Sequence, residues 1–184
     1  MPGHFAIHTA TRLNTSTPNG RAGSRATTSA GLEEAIAPGA SLLVDSSAVL
    51  SYLTGVEPTS PLAAQVFDAF VATGRNPASL SMVTVQEILV RPFRTGTSAV
   101  AVAEGFLRHF AEIRLIEVGY EIAREAARVR AATGMRTPDA LILATALVAP
   151  VDILVTNDRA SAARAEAVAP GLRLCVLSDH ARKP

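Results

Sequence analysis

The run Ser41-Leu42-Leu43-Val44-Asp45-Ser46-Ser47 decides the fold. Three apolar residues in a row, closed by an acid and two serines, predict a short buried strand (Ser41–Asp45) that gives way to a helix. The serines are candidate N-caps for that helix, which runs to Leu53 and stops at Gly55. The same junction recurs further along the chain. Glu87 stands in Thr84-Val85-Gln86-Glu87, Asp139 in Thr137-Pro138-Asp139-Ala140, and Asp158 in Thr156-Asn157-Asp158-Arg159. Each acid falls where a strand should end or a helix begin. A parallel sheet covered by helices on both faces collects such junctions at one edge, beyond the carboxyl ends of its strands.

The remaining elements fit this alternation. Ser60-Pro61 starts a helix that Gly74 ends, with Leu62, Val66, Phe67, Phe70 and Val71 at helical spacing. Leu80–Val83 reads as a second strand. Thr84 then opens a helix to about Val90, stopped by Pro92. Ser98–Phe110 is helical, Ile113–Val118 a strand, and Tyr120–Thr133 an amphipathic helix closed by Gly134. Asp139–Val148 follows as a helix that is apolar nearly all round. Asp152–Thr156, Asp158–Val168 and Leu172–Leu177 complete the pattern as strand, helix and strand.

Composition narrows the chemistry. The chain has 184 residues, 48% of them hydrophobic, which suits one domain and a tail. No apolar run approaches the ~18 residues that span a bilayer, so no membrane role is expected. Cys175 is the one cysteine, which excludes an internal disulfide and fits a reducing, cytoplasmic setting. Lys183 is the one lysine, which excludes a phosphate-binding loop of the P-loop type. The four histidines, His4, His8, His109 and His180, all lie outside the acidic motifs. Between residues 41 and 180 twelve arginines face fourteen acids. Any nucleic-acid partner must therefore be held by a local arginine patch.

Residues 1–39 read as a poorly structured N-terminal extension, rich in Ser, Thr, Gly and Arg, with no acid before Glu33. Its composition loosely resembles that of an organelle transit peptide; the plainer readings are a disordered extension or a start codon placed too far upstream. A short helix over Gly31–Ile36 is compatible with the pattern. Residues 40–180 form the predicted domain.

Taken singly, each acid has a plain structural role. Asp45 is a turn or cap residue. Thr84 and Glu87 have capping-box spacing. Asp139 is favoured by the dipole of its helix, and Asp158 is a first-turn acid after Asn157. Taken together, they place four carboxylates at one sheet edge. Such a cluster persists only if a cation or shared protons offset the repulsion. Hard oxygen ligands suit Mg²⁺ or Mn²⁺, and that combination points to metal-assisted phosphodiester cleavage. Asp68, Glu104, Glu112, Glu121, Glu125 and Glu166 fall mid-helix or on polar helix faces and read as solvated surface.

The motifs Val44-Asp45-Ser46-Ser47-Ala48-Val49-Leu50, Ser81–Leu89, Thr137–Ala146 and Val155–Arg159 resemble, in order and spacing, those of the PIN domain. The single-domain size is most similar to the VapC toxins. The resemblance spans about Ser41 to Ser178, and departs from the compact pattern in its long N-terminal tail. It implies a three-layer α/β/α sandwich with a short, mostly parallel central sheet. It further implies a Mg²⁺- or Mn²⁺-dependent ribonuclease acting on RNA, usually a homodimer and silenced by a small cognate antitoxin. Asp45 and Asp139 then correspond to the principal metal ligands, with Glu87 and Asp158 as the other two acids. Ser47, Thr156 and Asn157 are candidates for a supporting shell, and Arg91, Arg94, Arg136 and Arg159 for phosphate contacts. An RNA-processing or RNA-binding module of the same kind, without toxin role, is the alternative. Two other phosphate-handling classes fit poorly: the Asp-x-Asp of haloacid dehalogenases meets Ser47 here, and a receiver domain needs a late lysine.

Overall fold

A computed structural model describes residues 30–110 and 113–181. Residues 1–29, most of the predicted extension, lie outside the described residues. In chain order the elements are α1 (Ala30–Ala35), β1 (Leu42–Val44), α2 (Ser46–Thr54), α3 (Ser60–Ala64, continued by wider π turns over Gln65–Val71), β2 (Ala78–Ser81) and α4 (Met82–Thr95). Then come α5 (Thr97–His109), β3 (Ile113–Ile116), α6 (Tyr120–Thr133), α7 (Thr137–Val148), β4 (Ile153–Thr156), α8 (Arg159–Val168), β5 (Arg173–Val176) and α9 (Leu177–His180).

The sheet has the order β3-β2-β1-β4-β5, and all of its pairings are parallel. Strand residues alternate between two cores, as a period of two requires. Leu42, Val44, Ile153, Val155 and Cys175 face one, with residues of α1 to α5. Leu43 and Leu154 face the other, with residues of α6, α7 and α8. This is a three-layer α/β/α sandwich. Its chain leaves β1 toward β2 on one side and returns to β4 on the other. The crevice at such a switch point, beyond the carboxyl ends of β1 and β4, is where α/β sheets bind ligands.

Three differences from the sequence reading have physical causes. First, β2 ends at Ser81, two residues early, because the Ser81 hydroxyl accepts from the Val83 N–H and caps α4. Thr84 is therefore inside the helix, buried, with its hydroxyl unpartnered, and the capping box with Glu87 does not form. Second, α4 passes through Pro92 to Thr95. Thr84, Ile88 and Pro92 recur every four residues on its buried face, so burying the ring offsets the one ladder bond that proline forfeits. Third, α1 lies in the segment read as extension, yet Leu32 and Ile36 are wholly buried in the first core. Arg75 and Asn76 fasten the chain after it. Arg75 donates to the Ile36 carbonyl at 2.8 Å, and Asn76 donates to the Ala37 and Ala40 carbonyls at 2.8 Å each.

Candidate active site

Asp45 occupies the N-cap position of α2, but its carboxylate makes no bond to the helix N–H groups. It accepts hydroxyls instead. Ser47 and Thr156 both donate to Oδ2 at 2.7 Å, and Ser46 donates to Oδ1 at 3.2 Å. The direction of the first two bonds is enforced from behind. The Asn157 N–H donates to the Ser47 oxygen at 2.9 Å, and the Asp158 N–H to the Thr156 oxygen at 3.0 Å. Each hydroxyl, already accepting from backbone, turns its proton to Asp45. Oδ2 is thereby saturated, while Oδ1 faces across Ser46 toward α4.

There it meets Glu87. The Ser46 hydroxyl, buried at the start of α2, also lies in a short hydrogen bond to Glu87 Oε2. One hydroxyl proton thus faces oxygens of two carboxylates. Glu87 sits one turn inside α4 and reaches the edge because β2 delivers the helix N-terminus there.

Asp139 is the third residue of α7, beneath Pro138. Its Oδ2 accepts from Arg136 Nε at 3.1 Å; the arginine side chain is 80% exposed and that of Asp139 17%. The hydrogen bond that Arg136 donates to Asp139, then the charge of Asp139, raises the Arg136 pKa, and the charges of Asp158 and Glu87 add to this. Arg136 therefore feels three of the four acids at once. A cavity of about 20 Å³, lined by Asp45, Asp139, Thr156 and Ser161 over an apolar floor that includes Met135 and Leu143, opens between α7 and α8.

Asp158 behaves differently. It is the N-cap of α8, in place of Asn157, and its Oδ1 accepts from the Ala160 and Ser161 N–H groups at 2.9 and 3.1 Å. Oδ2 takes the Ser161 hydroxyl at 3.0 Å. Partial burial pushes its carboxyl up. The bonds from Ser161 and Ala160, with the charge of Arg136, outweigh this and hold it below the usual range.

The other predicted residues are scattered. Arg159 turns away from the acids to an ion pair with Asp179 in α9. Arg91 and Arg94 lie exposed on later turns of α4. Asn157 is integral to the site: its backbone holds Ser47, and its side chain reaches Glu57 and Thr59. Sequence reasoning missed Ser46 as a bridge, having weighed it as a cap, and missed Glu57 and Thr59 altogether. Those two meet Asn157 across about a hundred residues, where no local spacing signals the contact.

Among the described residues, no three His, Cys, Asp or Glu side chains converge closely enough to hold a metal ion. The donor chemistry nevertheless fits a hard divalent cation: two carboxylates share one hydroxyl proton, a third is balanced by an exposed guanidinium, and among the described residues no histidine bonds to these acids.

Fold and site together define a small α/β domain with carboxylates collected at the switch point of a parallel sheet. The PIN domain profile matches residues 42–167, and the chain belongs to the PIN domain family. Solved structures of similar fold include a toxin–antitoxin complex from Klebsiella pneumoniae, with 20% identity and a TM-score of 0.56 over 74% of this chain and 97% of that one. FitAcB from Neisseria gonorrhoeae shares 16% identity with a TM-score of 0.58, over 74% and 98% of the two chains. VapC20 from Mycobacterium tuberculosis, described as a Sarcin-Ricin loop cleaving toxin, shares 17% with a TM-score of 0.54, over 66% and 93%. No curated protein sequence matches the chain. No helix among the described residues is long and apolar enough to cross a membrane.

Proposed function

We propose that the protein is a Mg²⁺- or Mn²⁺-dependent endoribonuclease, the toxin of a toxin–antitoxin pair, acting in the cytoplasm as a homodimer silenced by a small cognate antitoxin. The observation that carries the reading is Asp45. A residue placed to cap a helix instead gives its carboxylate to three hydroxyls and, through Ser46, to Glu87. Two of the similar structures, a toxin–antitoxin complex and a Sarcin-Ricin loop cleaving toxin, support the substrate class and the partner.

Asp45, Glu87 and Asp139 would hold the ion, with Asp158 adding charge from the rim while it caps α8. Such an ion supplies Lewis acidity, which activates water and offsets charge on the leaving oxygen. The protein's own groups do the rest. Ser47 and Thr156 fix the Asp45 carboxylate in one orientation. Arg136, on an exposed tether, exchanges Asp139 for an RNA phosphate when the acids are neutralised. It positions the backbone without reading sequence, and Arg91 and Arg94 extend the cationic surface along α4. Arg159 joins them only if it releases Asp179.

The test is cleavage of total RNA with Mg²⁺, Mn²⁺ or EDTA, beside Asp45→Asn and Asp139→Asn. Discrete cuts that need metal and vanish in both variants are expected. Metal-dependent cutting retained by both would sink the assignment. The second reading, an RNA-processing or RNA-binding module without toxin role, is favoured by one observation: Asp139 is engaged with Arg136, and among the described residues no trio of acids is gathered. Absence of Mn²⁺ binding by wild type would decide for a module of this kind without activity.

A further inference from the structure

We propose that Asn157 is a positioning residue that locks the α2–α3 loop to the turn orienting Asp45, so that Glu57 and Thr59 set the metal affinity of a site they do not touch. The inference rests on the metal-site reading above and names a control built into it. Asn157 Nδ2 donates to Thr59 Oγ1 at 2.8 Å and to Glu57 Oε2 at 3.1 Å. Facing a carboxylate, that end of the amide must be the NH₂ group, which fixes the orientation of the side chain. The other end, Oδ1, is then buried without a partner. A buried orphan acceptor carries an uncompensated desolvation cost, so an apolar residue of similar shape would escape a penalty that asparagine bears. What asparagine supplies in return is the pair of donated bonds.

Those bonds lead into a polar core. Thr59 Oγ1 lies 3.0 Å from Ser51 Oγ, and the Ser60 hydroxyl donates to the Ser51 carbonyl at 2.7 Å and accepts from the Glu57 N–H at 3.0 Å. Ser51, Thr59 and Ser60 are all buried. The loop is therefore tied to α2 by hydrogen bonds, and Asn157 is stapled to it. From the other side of the same residue, the Asn157 N–H holds Ser47 Oγ, whose proton points at Asp45 Oδ2. A shift of the Asn157 backbone would thus rotate the Ser47 hydroxyl and loosen the carboxylate. Groups that orient a metal ligand from behind typically govern affinity by about 10- to 100-fold.

The experiment is Mn²⁺ titration calorimetry on the full chain, with a thermal melt of each variant. Asn157→Leu, which keeps the shape and removes the donors, should bind Mn²⁺ about tenfold more weakly. Glu57→Gln retains an acceptor for Nδ2 and should bind within about twofold of wild type, whereas Glu57→Ala should lose several-fold, as expected for an outer-shell partner. Thr59→Val, which removes the other acceptor, should also weaken binding, and it carries the test if Asn157→Leu does not fold. A lowered melting temperature with unchanged Mn²⁺ affinity in Asn157→Leu or Thr59→Val would overturn the proposal by reducing the staple to a structural bond. Equal losses in Glu57→Gln and Glu57→Ala would overturn it in favour of the Glu57 charge. A wild type that binds no Mn²⁺ would instead overturn the metal-site reading itself.

Discussion

Asp158 offers a clean separation of stability from chemistry, because its carboxylate has a visible structural duty. It accepts two backbone N–H bonds and the Ser161 hydroxyl at the start of α8. Asparagine and serine cap about as well as aspartate, whereas alanine costs about 1 kcal/mol. For a chain of 184 residues that converts to a fall in melting temperature of about 2–4 °C. Asp158→Ala should therefore melt about 2–4 °C below wild type at pH 7, and Asp158→Asn within about 1 °C of it. Because the folded carboxyl titrates below its ordinary value, the contribution of the ionised cap is fully present above the unfolded pKa of about 3.9. It is lost as pH falls through the lower folded value, so the wild-type and alanine melts should converge in strong acid. Circular dichroism melts across pH, with Mn²⁺ titrations in parallel, read both quantities. If Asp158→Asn keeps its melt but binds Mn²⁺ more weakly, the carboxylate serves the metal as well as the helix. If Asp158→Asn melts as low as Asp158→Ala, the capping account is refuted.

Arg136→Gln should strengthen Mn²⁺ binding modestly, on the order of twofold at low salt and less at high salt, since the ion pair it removes is exposed; weaker binding would show that the arginine does not compete for Asp139. Leu32→Ala should cost about 2–5 kcal/mol in urea unfolding, because α1 buries this side chain completely in the main core. A cost under about 0.5 kcal/mol, the level of an ordinary surface substitution, would detach α1 from the domain. Cys175 is buried, and desolvation, with a smaller contribution from Asp179, pushes its thiol up to about 12. Its alkylation at pH 8 should follow global unfolding in a denaturant series, and fast labelling of the native protein would contradict its burial.

What was legible in the sequence follows from how each signal is written. The C-terminal end of helix α6 was legible because Gly134 adopts the left-handed conformation, φ 66°, that glycine tolerates and other residues resist. Helix α7 was placed because Thr137-Pro138 is a local start signal. The edge-gathering of the acids was legible too, since strand–helix alternation is a property of the whole chain. Glu87 was the weakest case, because Thr84-x-x-Glu87 satisfies a local rule that tertiary structure overrode. Once Ser81 caps α4, Thr84 becomes a core residue and Glu87 is freed to meet Ser46, forty-one positions earlier. Asp158 shows the converse: it is the N-cap and not the first-turn acid expected, yet its role stayed local and the carboxylate is committed to its helix. Four acids that look alike in sequence thus divide by whether backbone N–H groups claim them. Among the described residues, Asp45 and Glu87 are unclaimed by backbone N–H groups and meet across Ser46, Asp139 is held by an exposed arginine, and Asp158 is claimed by the N–H groups of its helix. Under the metal-site proposal, that division orders them as candidate cation ligands in a way no spacing can, because spacing records where a carboxylate starts and not which donors reach it first.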